Sequence, residues 1–389
     1  MIETRPLPHY FSAEHEVFRS TLREFVDREI VPFANDWDEA ETFPRELYRK
    51  FGALGALGIG YDEALGGTAA DIFHYLVAIE EVARAGCGGV QASLLSHTIG
   101  LPPVAAHGSE ALKRRVVPPV LAGDKIAALA VTEPGGGSDV ASLKCAARRE
   151  GEHYVLNGEK TFITSGMRAD FITVAVRTDA GSKGAAGVSA LLVDADSTGL
   201  TRTPLKKMGW WCSDTAHLHF DDVRVPVGHL LGTEHQGFKV FMTNFNSERL
   251  SMSAAACAFA QACLDEALAW ARDRVTFGQP LAQRQVIRHK LVDMALKIDA
   301  ARALVYELAW RLEHRHGDPE QLVARACMAK ILSTQAMQFC ADQAVQILGG
   351  MGYMRGTRSE RIYREAKVMM IGGGSEEILK DLAARQLGI

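Results

Sequence analysis

The chain reads as an α+β multidomain protein, with a helical amino-terminal part, a β part of short strands and a helical bundle at the carboxyl end. Three observations predict this. Apolar residues recur at helical spacing before about residue 125 and after about residue 237, but alternate or run in short blocks in between. The 389 residues exceed one ordinary core, and a hydrophobic content of 47% is enough to bury several. Breaks at Gly278-Gln279-Pro280, Gly317-Asp318-Pro319 and Gly349-Gly350 cut the last part into long segments with short connections, which is the pattern of a bundle. The expected divisions are residues 1–124, 125–236 and 237–389.

Taken in order, Ser12 is placed to cap a helix through Val17, Phe18, Leu22 and Phe25, which Pro32 ends or kinks. Pro44 suits the first turn of another helix, expected to run to about Leu57. Gly66-Gly67 breaks the pattern, and Ala70–Ala85 reads as a buried helix. Ser109 caps a helix to Leu121. In the β part, His153–Leu156 and Lys160–Ile163 flank Asn157-Gly158, which predicts a hairpin. Phe171–Val176 and Val188–Val193 read as buried strands, and His217–Phe220 as a strand ending at Asp221-Asp222. Several short strands between Gly and Asp turns point to a small barrel or sandwich.

Composition excludes some functions. A net charge of -4, with only short basic runs at Lys113-Arg114-Arg115 and Lys206-Lys207, argues against nucleic acid. No apolar run reaches the roughly 18 residues of a membrane span. Seven scattered cysteines without a C-x-x-C pair suggest free, buried thiols in a reducing compartment. The opening Met1–Pro6 carries neither a signal-peptide core nor an Arg-rich presequence, so the cytoplasm is expected. His217 and His219 share a strand face without a third ligand nearby in sequence, so no metal is expected. Gly350-Met351-Gly352-Tyr353-Met354-Arg355-Gly356 has the wrong spacing for a dinucleotide fingerprint, and neither a P-loop nor a G-x-S-x-G motif occurs.

The stretch Val131-Thr132-Glu133-Pro134-Gly135-Gly136-Gly137-Ser138-Asp139 offers exposed amides and hydroxyls to a ligand. With Leu156–Thr164, Arg274–Pro280, Ala344–Tyr353 and Tyr363–Lys367, in that order, it resembles the acyl-CoA dehydrogenase family along almost the whole chain. The resemblance implies an α-helical domain, a β-barrel and a four-helix bundle, with FAD between the last two. It implies flavin contacts from Val131, Thr132, Gly137, Ser138, Phe162, Thr164 and Ser375. It implies that Arg274, Phe277, Gln346 and Gly350 hold the pyrophosphate and adenosine of a neighbouring subunit's FAD, hence a homodimer at least and a tetramer as the fuller assembly. An acyl-CoA substrate and an electron-transfer flavoprotein as acceptor follow from the same likeness.

Removing a proton from the carbon α to a thioester needs a positioned carboxylate of raised pKa, and donors for the developing enolate. Many relatives carry that Glu on the carboxyl-terminal loop, where this chain has Gly373 in Ile371-Gly372-Gly373-Gly374-Ser375-Glu376-Glu377. Long-chain and isovaleryl-type relatives carry it on the first bundle helix before an Arg, and here that is Glu248 before Arg249. Glu248 is therefore the expected base. The Gly373 amide is the expected donor to the thioester oxygen, with Arg249, Ser138 and Gly372 around the substrate. Glu376 and Glu377 suit the first turn of a helix capped by Ser375, and Glu133 suits a structural role. Trp210 and Trp211 suit packing between the β part and the bundle. The small Gly372 and Gly373 admit a longer or branched acyl chain. The alternatives on the same fold are an oxidase or flavin-dependent oxygenase, and an acyl-CoA-binding protein without catalysis.

Overall fold

The computed structural model describes residues 9–389, leaving aside the side chains of residues 243–246. The opening Met1–Pro6, on which the expectation of no leader rests, lies outside the described residues. Helices α1 (Ala13–Glu29), α2 (Ala34–Glu39), α3 (Glu46–Gly52), α4 (Ile72–Arg84), α5 (Gly88–Leu94), α6 (His97–Gly100), α7 (Pro102–His107) and α8 (Glu110–Leu121) form the first part. The Ser109 hydroxyl accepts from Leu112 N–H and caps α8 as the sequence predicts. Pro32 lies in the 3-10 turn Val31–Phe33 that follows α1. The helix after Pro44 stops earlier than expected. A Cβ on Gly52 would sit 2.7 Å from the Ala122 carbonyl oxygen, so the chain passes too close to the end of α8, and Gly55 then turns at φ +73°.

The middle strands are β1 (Ala127–Ala130), β2 (Ala146–Glu150), β3 (His153–Thr164), β4 (Phe171–Arg177), β5 (Val188–Asp194), β6 (Leu200–Pro204), β7 (Thr215–Pro226) and β8 (Leu230–Leu231). They form one sheet in the order β6-β7-β3-β2-β4-β5-β8, with β1 parallel to β4 beside it. The expected barrel is corrected here: among the described residues no pairing joins β6 to β8. The physical reason is cover. β4 and β5 are buried almost along their length, because α6 packs on β1 and α9 (Gly237–Asp273) on β5. The sheet hides its apolar face under helices instead of curling on itself.

Asn157-Gly158 is not a hairpin turn. β3 runs through it, and the hairpin closes at Gly151-Glu152. Gly158 (φ +135°) lies at a bulge against β7, where a Cβ would come within 2.8 Å of the Cys145 Cα. The Asn157 amide ties that bulge to Asp222. β7 likewise continues through Asp221-Asp222, where the sequence suggested an end.

The last part contains α9, α10 (Gln285–Glu313), α11 (Pro319–Leu348), α12 (Gly350–Tyr353), α13 (Arg358–Ile371) and α14 (Glu376–Leu387), between which lies the small hairpin β9 (Val275–Thr276)–β10 (Gln279–Pro280). α11 packs against α9, α10, α13 and α14, with a seam of small residues such as Ala329, Ala336, Ala341 and Ala344 fully buried. Trp211 faces α13, whose Arg364 guanidinium lies 3.8 Å from its ring centroid, so the Trp pair packs the β part against the bundle side. All seven cysteines are free and buried. Among the described residues, no helix is long and apolar enough to cross a membrane.

Candidate active site

The site begins with Gly237. A Cβ there would lie 2.4 Å from the Ala190 amide nitrogen, so only glycine lets α9 start directly on β5. Eleven residues on, about three turns, α9 presents Glu248, half-buried, with Arg249 turned inward beside it. Burial pushes the Glu248 carboxyl up to about 6, although Arg249 and Lys330 both pull it down. Desolvation wins because neither cation forms a close ion pair with it.

Facing Glu248 is the loop between α13 and α14. Gly373 (φ +66°) and Gly374 (φ +107°) adopt backbone that disfavours any side chain. Glu248 Oε1 lies 3.7 Å from the point where a Cβ on Gly373 would sit. The carboxyl group of the helix thus occupies the neighbourhood a loop side chain would otherwise fill. Met252, one turn further along α9, closes on the same point, with its sulfur 2.7 Å away.

The loop is held by a residue the sequence reading did not single out. Lys330 of α11 is only 1% exposed. Its Nζ donates to the Met370 carbonyl at 3.1 Å and the Gly374 carbonyl at 2.8 Å, one on each side of Gly372-Gly373. Burial lowers its pKa to about 8, with Glu248 the leading opposing influence. The available signal was a charged residue at a core position of an alanine-rich helix. Tyr75 of α4 was missed as well. Its half-buried hydroxyl lies near Ser251 and Thr98, and burial raises its pKa, with Glu248 adding to the rise.

The rival carboxylates behave oppositely. Glu376 pairs with Lys380 at 2.6 Å, and its pKa is lowered by that bond. The pairing with Lys380 therefore falls to Glu376 rather than Glu377. Glu377 is lowered by backbone and Ser375 hydrogen bonds, and Ser375 is the N-cap residue of α14. Glu133 is structural: it accepts from Lys144 and Cys145 N–H and pairs with the fully buried Lys160 at 2.8 Å.

That Glu133–Lys160 pair sets the glycine loop after β1. Lys160 Nζ also donates to the Val131 carbonyl, and Thr161 N–H to the Thr132 carbonyl, which brings Val131 and Thr132 beside Phe162; a Cβ on Gly137, next to Ser138 in the loop, would lie 3.8 Å from the Thr132 Cγ2. No protein atom comes within 3.8 Å of a Cβ built on Gly135, Gly136 or Gly137, so this cradle is open to a ligand. At a register shift in β3 between Lys160 and Ile163, Phe162 takes φ +61° and stands 70% exposed. A bulky residue held in a costly conformation with its ring outward suits stacking on a flat ring system. Thr164 ends β3, half-buried, opposite Thr215. The residues present fit an isoalloxazine.

Arg274, Phe277, Gln346 and Gly350 are elsewhere, all exposed. Arg274 follows α9 and lies 26 residues beyond Glu248, roughly 39 Å along the helix. Phe277 (φ +49°) is 97% exposed.

One further cluster brings three potential ligand atoms within 4.8 Å: His15, Asp71 and His74. Its bonds explain it as capping. Asp71 accepts from Phe73 and His74 N–H at the start of α4. His15 Nδ1 accepts from Ser12 N–H, which leaves the proton on Nε2 to donate to Asp71. Nε2 therefore has no lone pair for a metal.

Three domain families cover most of the chain: acyl-CoA dehydrogenase, N-terminal domain over residues 12–124, middle domain over 128–223 and C-terminal domain over 235–388. A solved putative acyl-CoA dehydrogenase from Mycobacterium smegmatis is 46% identical with a TM-score of 0.94, covering 98% of this chain and 99% of that one. The short-chain specific mitochondrial acyl-CoA dehydrogenase of Rattus norvegicus is 37% identical over 96% of this chain and 90% of its own length. The long-chain specific mitochondrial enzyme of the same species is 36% identical over 97% and 87%.

Proposed function

The chain belongs to the acyl-CoA dehydrogenase family, and from that premise we propose that Glu248 is the base that takes the α-proton of an acyl-CoA thioester. The protein is an FAD-dependent oxidoreductase that dehydrogenates an acyl-CoA to the 2-enoyl-CoA. The observation that carries the role of Glu248 is its place: a carboxyl raised to about 6, beside the space above Gly373. At neutral pH it is ionised yet still basic enough to accept a proton from carbon. The Gly373 N–H donates to the thioester oxygen as charge develops there, a contribution worth ~3 kcal/mol of barrier. Gly372 leaves room for the chain, and Arg249 and Ser138 line the approach.

Val131, Thr132, Gly137, Ser138, Phe162, Thr164 and Ser375 hold the flavin. Bound FAD supplies the acceptor for the hydride leaving the β-carbon. Arg274, Phe277, Gln346 and Gly350 would hold the pyrophosphate and adenosine of a neighbouring subunit's FAD, a reading that rests on the family likeness and is supported by their exposure. The exposed apolar residues around them, Val275, Met351, Tyr353 and Met354, suit burial against a second copy, and a tetramer is the assembly we infer. An electron-transfer flavoprotein reoxidises the enzyme, the three divisions at 124/125 and 236/237 are its domains, and the cytoplasm is its compartment.

The test is anaerobic mixing of the FAD-loaded protein with a panel of acyl-CoAs, followed by aerobic turnover with an artificial acceptor. The flavin absorbance should bleach as trans-2-enoyl-CoA forms. Aerobic turnover should release little peroxide. Stoichiometric peroxide would instead make it an oxidase, and absence of bleaching with every acyl-CoA would leave only a binding protein.

A further inference from the structure

The glycine loop after β1 has little holding it from within. Pro134–Asp139 is exposed apart from a half-buried Gly136, and a Cβ on Gly135 would meet no protein atom within 4 Å. Three glycines in a row also lose the most conformational freedom when ordered. A loop of this kind keeps a binding shape only if its base is anchored. One anchor is Glu133, whose carboxylate accepts from Lys144 and Cys145 N–H across the base. The other is Arg177, the last residue of β4.

Arg177 Nε donates to the Leu143 carbonyl at 3.0 Å and Nη2 to the Ala141 carbonyl at 2.8 Å, both on the returning limb of the glycine loop. Nη2 also donates to the Gly184 carbonyl at 3.0 Å, and Nη1 to the Ala186 and Ser182 carbonyls at 2.9 and 3.2 Å, in the loop between β4 and β5. A guanidinium has five N–H donors in a rigid fork, and five main-chain carbonyls from two loops meet them here. The β4–β5 loop is itself firmly closed. Thr178 and Asp179 N–H both donate to the Gly187 carbonyl. Thr178 Oγ1 lies 2.9 Å from His235 Nδ1 and 2.6 Å from Ser189 Oγ, which accepts from His235 N–H just before α9 begins. Arg177 therefore fastens a soft loop to a firm one, and the firm one is tied to the root of the helix that carries Glu248.

We infer that Arg177 is a positioning residue for the flavin, holding the glycine loop in its binding shape before FAD arrives. This rests on the reading of that loop as the flavin cradle. The donors of Arg177 are spent on carbonyls, so its effect passes through the loop. Pre-organisation of this kind tightens binding by removing an ordering cost. Lysine is no substitute, because an ammonium offers three donors from one point and the five carbonyls surround a planar fork.

The experiment strips FAD from wild type, Arg177→Lys and Arg177→Met, titrates it back by flavin fluorescence, and follows amide exchange by mass spectrometry with a thermal melt of each apoprotein. The FAD Kd should rise at least tenfold in both variants. Exchange over residues 135–143 of the apoprotein should quicken at least tenfold in them, and FAD loading should slow it again. A clamp that served stability alone would lower the melting temperature and leave the Kd of the folded protein unchanged, and that result would overturn the inference. Should neither variant fold, wild type still decides. Its apoprotein should already exchange slowly over 135–143, and fast exchange there before FAD is added would mean that nothing preforms the loop. Wild type that takes up no FAD would sink the flavin reading itself, whereas FAD bound equally well by wild type and both variants would sink only the role of Arg177.

Discussion

At Glu248 two requirements oppose each other. A base must be ionised, and a protein interior disfavours charge. The carboxyl sits at about 6, above its usual value of about 4.5, so the folded protein holds the proton more tightly than the unfolded chain does. Folded stability therefore falls as pH rises from 4.5 through 6, and at pH 7 the ionised carboxylate costs on the order of 1–2 kcal/mol. Glu248→Gln should melt higher than wild type at pH 7 and gain little at pH 4, as read by thermal unfolding. The bleaching rate should rise with pH through an inflection near 6. Lys330 pulls that carboxyl down, so Lys330→Met should move the inflection upward, and it should speed amide exchange at Gly372–Ser375 by releasing the Met370 and Gly374 carbonyls. An unmoved inflection would remove Lys330 from the electrostatics of the site. Likeness to long-chain and isovaleryl-type relatives pointed to Glu248 once Gly373 stood where others carry a Glu, and the structure sets its Oε1 3.7 Å from where a Cβ on Gly373 would lie. Lys330 carried a weaker mark, a charge on an alanine-rich helix, which gains its meaning only when the neighbours of that helix show which face is buried.

Among the elements, strands and helices were legible and their neighbours were not. Phe171–Val176 and Val188–Val193 announce buried strands, but only the fold pairs them antiparallel and places β1 parallel beside β4. Asn157-Gly158 has the chemistry of a turn, and the fold uses it for a bulge, because Gly158 must pass Cys145 closely. Gly158→Ala should thus destabilise by about 1–3 kcal/mol through strain at φ +135°, measured by chemical denaturation. At α4, burial would raise the Asp71 carboxyl, yet hydrogen bonds from His15 and from the amide and ring of His74 bring it to about 2. Its folded pKa lies below the unfolded one, so this stabilisation is present above pH 4 and lost as pH falls through 2. Asp71→Ala should cost ~1 kcal/mol or more at pH 7, and the difference from wild type should narrow in acid. An equal difference at both pH values would mean the carboxylate is not the cap that matters.

At the scale of the whole molecule, we propose that one end of α9 serves the reaction and the other a different subunit's cofactor. Phe277 and Tyr353, 97% and 86% exposed, are the residues whose burial a second copy would complete. Phe277→Asp with Tyr353→Asp should lower the assembly state in sedimentation velocity, and FAD should be lost in step. A wild-type monomer that retains FAD would contradict that division of labour. Bundle helix and terminal loop meet at one carboxylate, and the most direct measurement is anaerobic bleaching by a bound acyl-CoA in Glu248→Gln beside Glu377→Gln. The Glu248 variant should stay yellow and bind acyl-CoA while bleaching at least a hundredfold more slowly, with the Glu377 variant close to wild type. Normal bleaching by Glu248→Gln would contradict the assignment of the base.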